Sequence, residues 1–193
     1  KEDETGQYRL WYMGSAVDPF DYELGWQVGC ASSEVLEDPL AWSPHEANPC
    51  LAFPGPSWDL GVHGLSVLRD DKASPDERYK MWYGGAQGSS RISIGYATSR
   101  DGMSWTRFSD GPVLDADQAW EGTALSQTAV VFDGAMYRMW FMGTTNLGDG
   151  PAWLIGYATS PDGIDWMKHE GNPVLRPGGA EGSSVVNWAH VRF

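Results

Sequence analysis

Short stretches of strict alternation punctuate this chain. Tyr8-Arg9-Leu10-Trp11-Tyr12-Met13-Gly14, Tyr79-Lys80-Met81-Trp82-Tyr83-Gly84-Gly85 and Tyr137-Arg138-Met139-Trp140-Phe141-Met142-Gly143 share one pattern. In each, two aromatic rings and an aliphatic or thioether side chain take one face, while a basic residue and a Trp take the other. Period two with bulky residues on both faces predicts a strand covered on both sides. A second kind of strand is predicted at Ile94-Gly95-Tyr96-Ala97-Thr98-Ser99 and Ile155-Gly156-Tyr157-Ala158-Thr159-Ser160. Each runs into an Asp-Gly pair, Asp101-Gly102 or Asp162-Gly163, and then a Trp, Trp105 or Trp166. Glycine reaches the positive φ that a tight hairpin requires, so a third, Trp-bearing strand is expected after the turn. A further strand, at Leu65 to Arg69 or Ala129 to Phe132, precedes each Tyr-x-Met-Trp segment.

These strands recur as a unit of four, here called A to D, with a period of about 60 residues. Pro-Val-Leu closes the unit at Pro112 and Pro173. A more diverged first copy runs through Gly29-Cys30-Ala31-Ser32-Ser33, a short insertion, Asp38-Pro39-Leu40-Ala41-Trp42 and Pro49. Approximate repeats are 1–57, 58–119 and 120–180, with 181–193 matching strand A. Four-stranded antiparallel sheets repeating at this length predict an all-β fold of β-propeller blades, three per chain. The unit that begins at Tyr8 lacks a strand A, and the segment Val185 to Phe193 supplies one, so one blade is expected to be split between the two ends. Rings of this kind use about four to eight blades. Closure is therefore expected either from a homodimer forming a six-bladed ring or from blades outside this sequence.

Composition narrows the roles. The net charge of −13 repels phosphate backbones and anionic lipid, which argues against nucleic-acid and membrane-surface partners. No apolar run approaches the ~20 residues of a spanning helix. Eleven Trp, eight Tyr and six Phe beside 24 Gly suit short strands whose rings fill the space between packed sheets. Cys30 and Cys50 would pair in an oxidising compartment and otherwise stand as buried thiols. No zinc or EF-hand spacing is present, so no obligatory metal or other cofactor is expected.

Taken together, the Tyr-Arg-Met-Trp-Tyr, Ile-Gly-Tyr-Ala-Thr-Ser-x-Asp-Gly-x-x-Trp and Asn-Pro-Val-Leu segments resemble the five-bladed propeller glycosidases of the arabinanase, levansucrase and invertase type, with the related mannoside phosphorylases. The resemblance implies a carbohydrate ligand and catalytic carboxylates at the starts of successive inner strands, facing an axial channel. Asp59, Glu121 and Glu181 occupy one such position in the three copies. One carboxyl held protonated and one ionised would serve glycosidic-bond cleavage. The same recurrence also fits a blade-building role, with each acid bonding backbone amides near the turn. Trp58 and Trp120 are candidate walls of a sugar subsite. His63 and His190 are candidate channel-lining ligands, whereas Trp11, Trp82 and Trp140 read as packing between blades. The sequence departs from the family in having no Asp-Pro-Asn near an N-terminal blade and no Arg-Asp-Pro segment. A non-catalytic propeller binding a glycan or a protein stands as the alternative function.

Overall fold

The computed structural model describes residues 6–15, 26–52, 57–87, 91–108, 111–146 and 151–178. Among them, eleven strands form three antiparallel sheets, beside two short 3-10 turns, Pro75–Glu77 and Ala119–Glu121. The first sheet is β1 (Tyr8–Ser15), β2 (Trp26–Ser33) and β3 (Ser43–Pro44). The second is β4 (Gly61–Arg69), β5 (Tyr79–Gln87), β6 (Arg91–Ser99) and β7 (Thr106–Arg107). The third is β8 (Leu125–Phe132), β9 (Tyr137–Asn146), β10 (Pro151–Ser160) and β11 (Met167–Lys168). Each is a meander in which chain neighbours are also hydrogen-bonded neighbours. The strand expected over 185–193 lies outside the described residues.

Register explains why a glycine sits in the middle of each third-type strand. Tyr12 pairs with Gly29, Tyr83 with Gly95 and Phe141 with Gly156. A Cβ on Gly95 would stand 2.5 Å from Tyr83 Cζ, and one on Gly156 would stand 2.5 Å from Phe141 Cζ. The missing side chain lets the ring lie flat across the neighbouring strand towards the sheet's outer edge.

That outer edge is shorter than the pattern predicts. β7 and β11 are two residues long, and Trp105 and Trp166 stand just before them rather than within them. The cause is a bond back into the turn: the indole N–H of Trp105 donates to the Gly102 carbonyl at 3.1 Å, and that of Trp166 to the Gly163 carbonyl at 2.9 Å. The Pro49-Cys50-Leu51, Pro112-Val113-Leu114 and Pro173-Val174-Leu175 segments then return along β2, β6 and β10, bridging Val28 with Leu51, Ile94 with Leu114 and Ile155 with Leu175.

The same two glycine carbonyls join sheet to sheet. Trp11 Nε1 donates to Gly102 O at 2.7 Å, and Trp82 Nε1 to Gly163 O at 2.7 Å. Gly102 and Gly163 have φ of +71° and +85°, and a Cβ on Gly163 would meet Trp82 Cζ2 at 2.7 Å. Trp11 and Trp82 thus hold neighbouring sheets together. Between the first two sheets lie Val28, Leu51, Val62 and Met81, and between the second and third Trp82, Ile94, Leu125, Met139 and Phe141, all 2% exposed or less. Burial of each such side chain stabilises the fold by about 1.5–3 kcal/mol. β4 lies against β8, and both carry a bulge near their beginning, at His63/Leu65 and Ser126/Ala129. Asp59 and Glu121 lie just before these two strands. Cys30 and Cys50 are free thiols.

Candidate functional site

Two of the three acids form matching buried ion pairs. Asp59, two residues before β4, is 1% exposed. Its Oδ1 accepts from Ser57 Oγ at 2.7 Å, and its Oδ2 accepts from the Tyr83 hydroxyl at 2.8 Å and Arg107 Nε at 2.7 Å. Arg107 also donates from Nη2 to the Ala52 carbonyl at 2.7 Å, so one guanidinium fixes the segment before Asp59 as well as its carboxylate. Burial, and then the Asp59 carboxylate, push the Tyr83 hydroxyl far above its usual range, so it stays a donor.

Glu121 ends the 3-10 turn Ala119–Glu121 and is fully buried. Its Oε2 accepts from the Asp117 and Gln118 amides at 2.8 and 2.9 Å and from Lys168 Nζ at 2.8 Å. Oε1 lies 2.7 Å from the same ammonium but accepts no well-aligned hydrogen bond. Lys168 further donates to Asp117 Oδ1 at 2.6 Å and to the Asp115 carbonyl at 2.7 Å. Asp115 is held in turn by Arg91 and Ser93. The Trp preceding each acid covers the ring that crosses its sheet: Trp58 stacks on Tyr83 at 6.4 Å and 14°, Trp120 on Phe141 at 5.9 Å and 29°.

The two acids are not brought together. Each meets the cation of its own sheet, and no hydrogen bond links one to the other among the described residues. Trp58, Trp120 and His63 are all half-buried, and His63 stands at the β4 bulge. Glu181 and His190 lie outside the described residues. Sequence reasoning missed Arg107 and Lys168, although the signal was present: each is the second residue after the turn Trp. Arg107 pairs in register with Ala97, and Lys168 with Ala158. In the first sheet the equivalent partner of Ala31 is Pro44. The strand that supplies a cation in two sheets therefore supplies none in the other.

Among the described residues no group of three His, Cys, Asp or Glu side chains is placed to hold a metal ion. No helix among them is long and apolar enough to cross a membrane.

No family model matches the chain. An uncharacterized protein of Mycobacterium tuberculosis is 36% identical over 81 residues, 40% of this chain and 27% of that protein. A family 117 glycoside hydrolase from the marine bacterium Zobellia galactanivorans superposes with a TM-score of 0.71 at 18% identity, over 91% of this chain and 55% of that one. A structure from the GH130 family of mannoside phosphorylases, which contains glycoside hydrolases that target β-1,2 mannosidic linkages in Candida mannan, gives 0.60 at 18% identity, over 90% and 50%. The all-β fold is thus shared with glycoside hydrolases. The chain spans about a quarter of the curated relative and about half of these solved chains.

Proposed function

We propose that the chain is part of a carbohydrate-active, glycosidase-like β-propeller that takes a glycan in its axial channel. The observation that carries this reading is the fold shared with glycoside hydrolases over nine-tenths of the chain. Three sheets do not close a ring, so the reading requires further blades beside these three.

Within that reading the three acids divide. A general acid or nucleophile must reach substrate and change its protonation state or bonding. Asp59 and Glu121 are buried and ion-paired, so they serve as clamps that set the entrance of β4 and β8. If the repeat pattern assigns Glu181 to the unit of the first sheet, its outer strand carries Pro44 in the cation's place, and on that ground Glu181 is the acid assigned to chemistry. Trp58 and Trp120, both half-buried, are assigned as aromatic walls of a sugar subsite, and His63 and His190 as hydroxyl ligands. The test is turnover of a panel of aryl glycosides and polysaccharides by the wild type and by Glu181→Gln. Wild-type turnover that falls by at least about a hundredfold in Glu181→Gln, at unchanged Tm, supports the assignment. Undiminished turnover by the variant removes Glu181 from the chemistry.

A second reading, a non-catalytic glycan-binding propeller, is favoured by the full burial of Glu121 and near-full burial of Asp59. It predicts measurable glycan affinity with no turnover. Neither turnover nor binding across the panel would overturn both readings.

A further inference from the structure

A groove of about 510 Å³ opens between the second and third sheets, lined by the last residues of β4 and β8 and by the turns that follow them. Its size falls within the range of about 300–1,000 Å³ usual for small-molecule sites. Asp59 and Glu121 precede the same two strands, so the groove lies at the opposite end of the sheets. A strand of eight or nine residues, rising about 3.3 Å for each, sets it roughly 25 Å from those acids. Both sheets are described over all four strands, so the groove belongs to a joint made within the chain.

Two lining residues, Asp70 and Tyr137, are tied together by Lys80. Its ammonium, on a side chain buried between the sheets, donates to the Tyr137 hydroxyl at 2.8 Å and to Asp70 Oδ2 at 3.0 Å. Phe132 lies against the Tyr137 ring, with centroids 4.7 Å apart, yet is 43% exposed. The repeat itself does not call for a ring there. Phe132 pairs in register with Tyr137, and the second sheet carries Arg69 at the same place, opposite Tyr79. Beside Phe132, Gly134 contributes bare backbone, with no atom within 4 Å of where a Cβ would stand.

The fixed charges around the groove are matched in pairs. Arg69 Nε meets Asp71 Oδ1 at 2.6 Å, Lys80 meets Asp70, and Arg138 meets Asp133 at 2.5 Å. Lys72 adds one exposed ammonium, which in a chain of net charge −13 does not gather anions. A site balanced in this way offers no partner for a charged ligand. It offers an open ring face together with exposed donors and acceptors at Asp71 and Lys72. A molecule with an apolar face and a fringe of hydroxyls matches both, and a pyranose is such a molecule.

We propose that this groove binds a neutral glycan, with a C–H face of one pyranose on Phe132 and its hydroxyls on Asp71, Lys72 and the Gly134 backbone. The site is separate from the proposed channel, and it holds a glycan whether or not the channel cleaves one.

Affinity electrophoresis of the full chain through gels containing soluble galactomannan, xylan, β-glucan or galactan tests the proposal. Calorimetric titration with a hexasaccharide of the retarding polymer then gives the Kd. At least one polymer should retard the wild type. Phe132→Ala should raise the Kd about tenfold and Asp71→Ala about fivefold, both with unchanged far-ultraviolet dichroism. Phe132→Tyr, which keeps the ring face, should bind like the wild type. Glu181→Gln should bind like the wild type as well, and Phe132→Ala should leave any turnover of aryl glycosides unchanged, which separates this site from the channel. The proposal is overturned if no polymer retards the wild type, or if retardation survives both Phe132→Ala and Asp71→Ala. Retardation lost in Glu181→Gln would place the glycan in the channel instead and overturn it equally.

Discussion

The second and third sheets differ from the first in what stands on the outer strand. β7 and β11 each project a cation, Arg107 or Lys168, that crosses the sheet to a buried carboxylate. β3 holds Pro44 at that register position. Where the cation is present, the acid is removed from water and the crossing ring is buried: Tyr83 and Phe141 are 1% and 0% exposed. Tyr12, the corresponding ring of the first sheet, is 37% exposed, and its hydroxyl accepts from Asn48 Nδ2 at 3.2 Å rather than donating to an acid. One register position thus carries a clamping cation in two sheets and Pro44 in the other. Recurrence of a carboxylate along a repeat therefore says little about chemistry until its partner is known.

The largest effect should come from opening a clamp. Lys168→Met leaves Glu121 fully buried with its charge uncompensated, and breaking a buried pair in this way costs about 3–5 kcal/mol. The urea midpoint should fall accordingly, and the double change Glu121→Gln with Lys168→Met should recover part of the loss. Equal losses in the single and double variants would show that Lys168 acts through packing against Phe141, over which its ammonium sits at 5.8 Å.

A smaller loss is expected at the joints. Gly163→Ala imposes a side chain at φ +85° and places a Cβ 2.7 Å from Trp82 Cζ2. The left-handed backbone alone costs roughly 1–2 kcal/mol, and the indole must also shift from its bond to the Gly163 carbonyl. Gly134→Ala is the control, since φ is +99° there but no atom lies within 4 Å of the added Cβ. Thermal unfolding should separate them, with Gly163→Ala the lower. Equal Tm values would mean that the Trp82 contact contributes nothing beyond backbone strain.

The sheets themselves were legible in the chain. Tyr-x-Met-Trp alternation and the Asp-Gly turns located the second, third and fourth strands of the second and third units, because period two and a positive-φ glycine are local properties. The outer strands were read too long, since Trp105 and Trp166 look like strand residues until their indoles are seen bonding back to the turn. The site was legible only in half. Asp59 and Glu121 announce themselves by recurrence, but their partners lie across the sheet from them. Arg107 and Lys168 are surface-like residues by type, and only the ring-over-glycine register reveals the path from the sheet's first strand to its last.

The smallest expected effect comes from the turns, and it tests whether their carboxylates contribute to stability at all. Burial alone would raise the Asp162 carboxyl, but hydrogen bonds from the Asp165 and Ile164 amides, both 2.9 Å, and from Ser160 outweigh it and hold the group below the usual carboxylate range. Asp101 is likewise held low against burial, by the Ser104 and Met103 amides and Ser99. A carboxyl depressed in the folded state binds its proton more readily when unfolded. Its contribution is therefore complete above the unfolded value, near 3.9, and is lost as pH falls from there through the lower folded value. The urea midpoint should accordingly be flat from neutrality down to about pH 5 and decline below about pH 4. Asp162→Asn should lower the midpoint at neutral pH and make the acid decline shallower, because one of the titrating groups is gone. A decline of unchanged steepness in that variant would assign the acid sensitivity to other depressed carboxyls, such as Asp70, which the Lys80 ammonium and the Lys72 amide hold low against its burial.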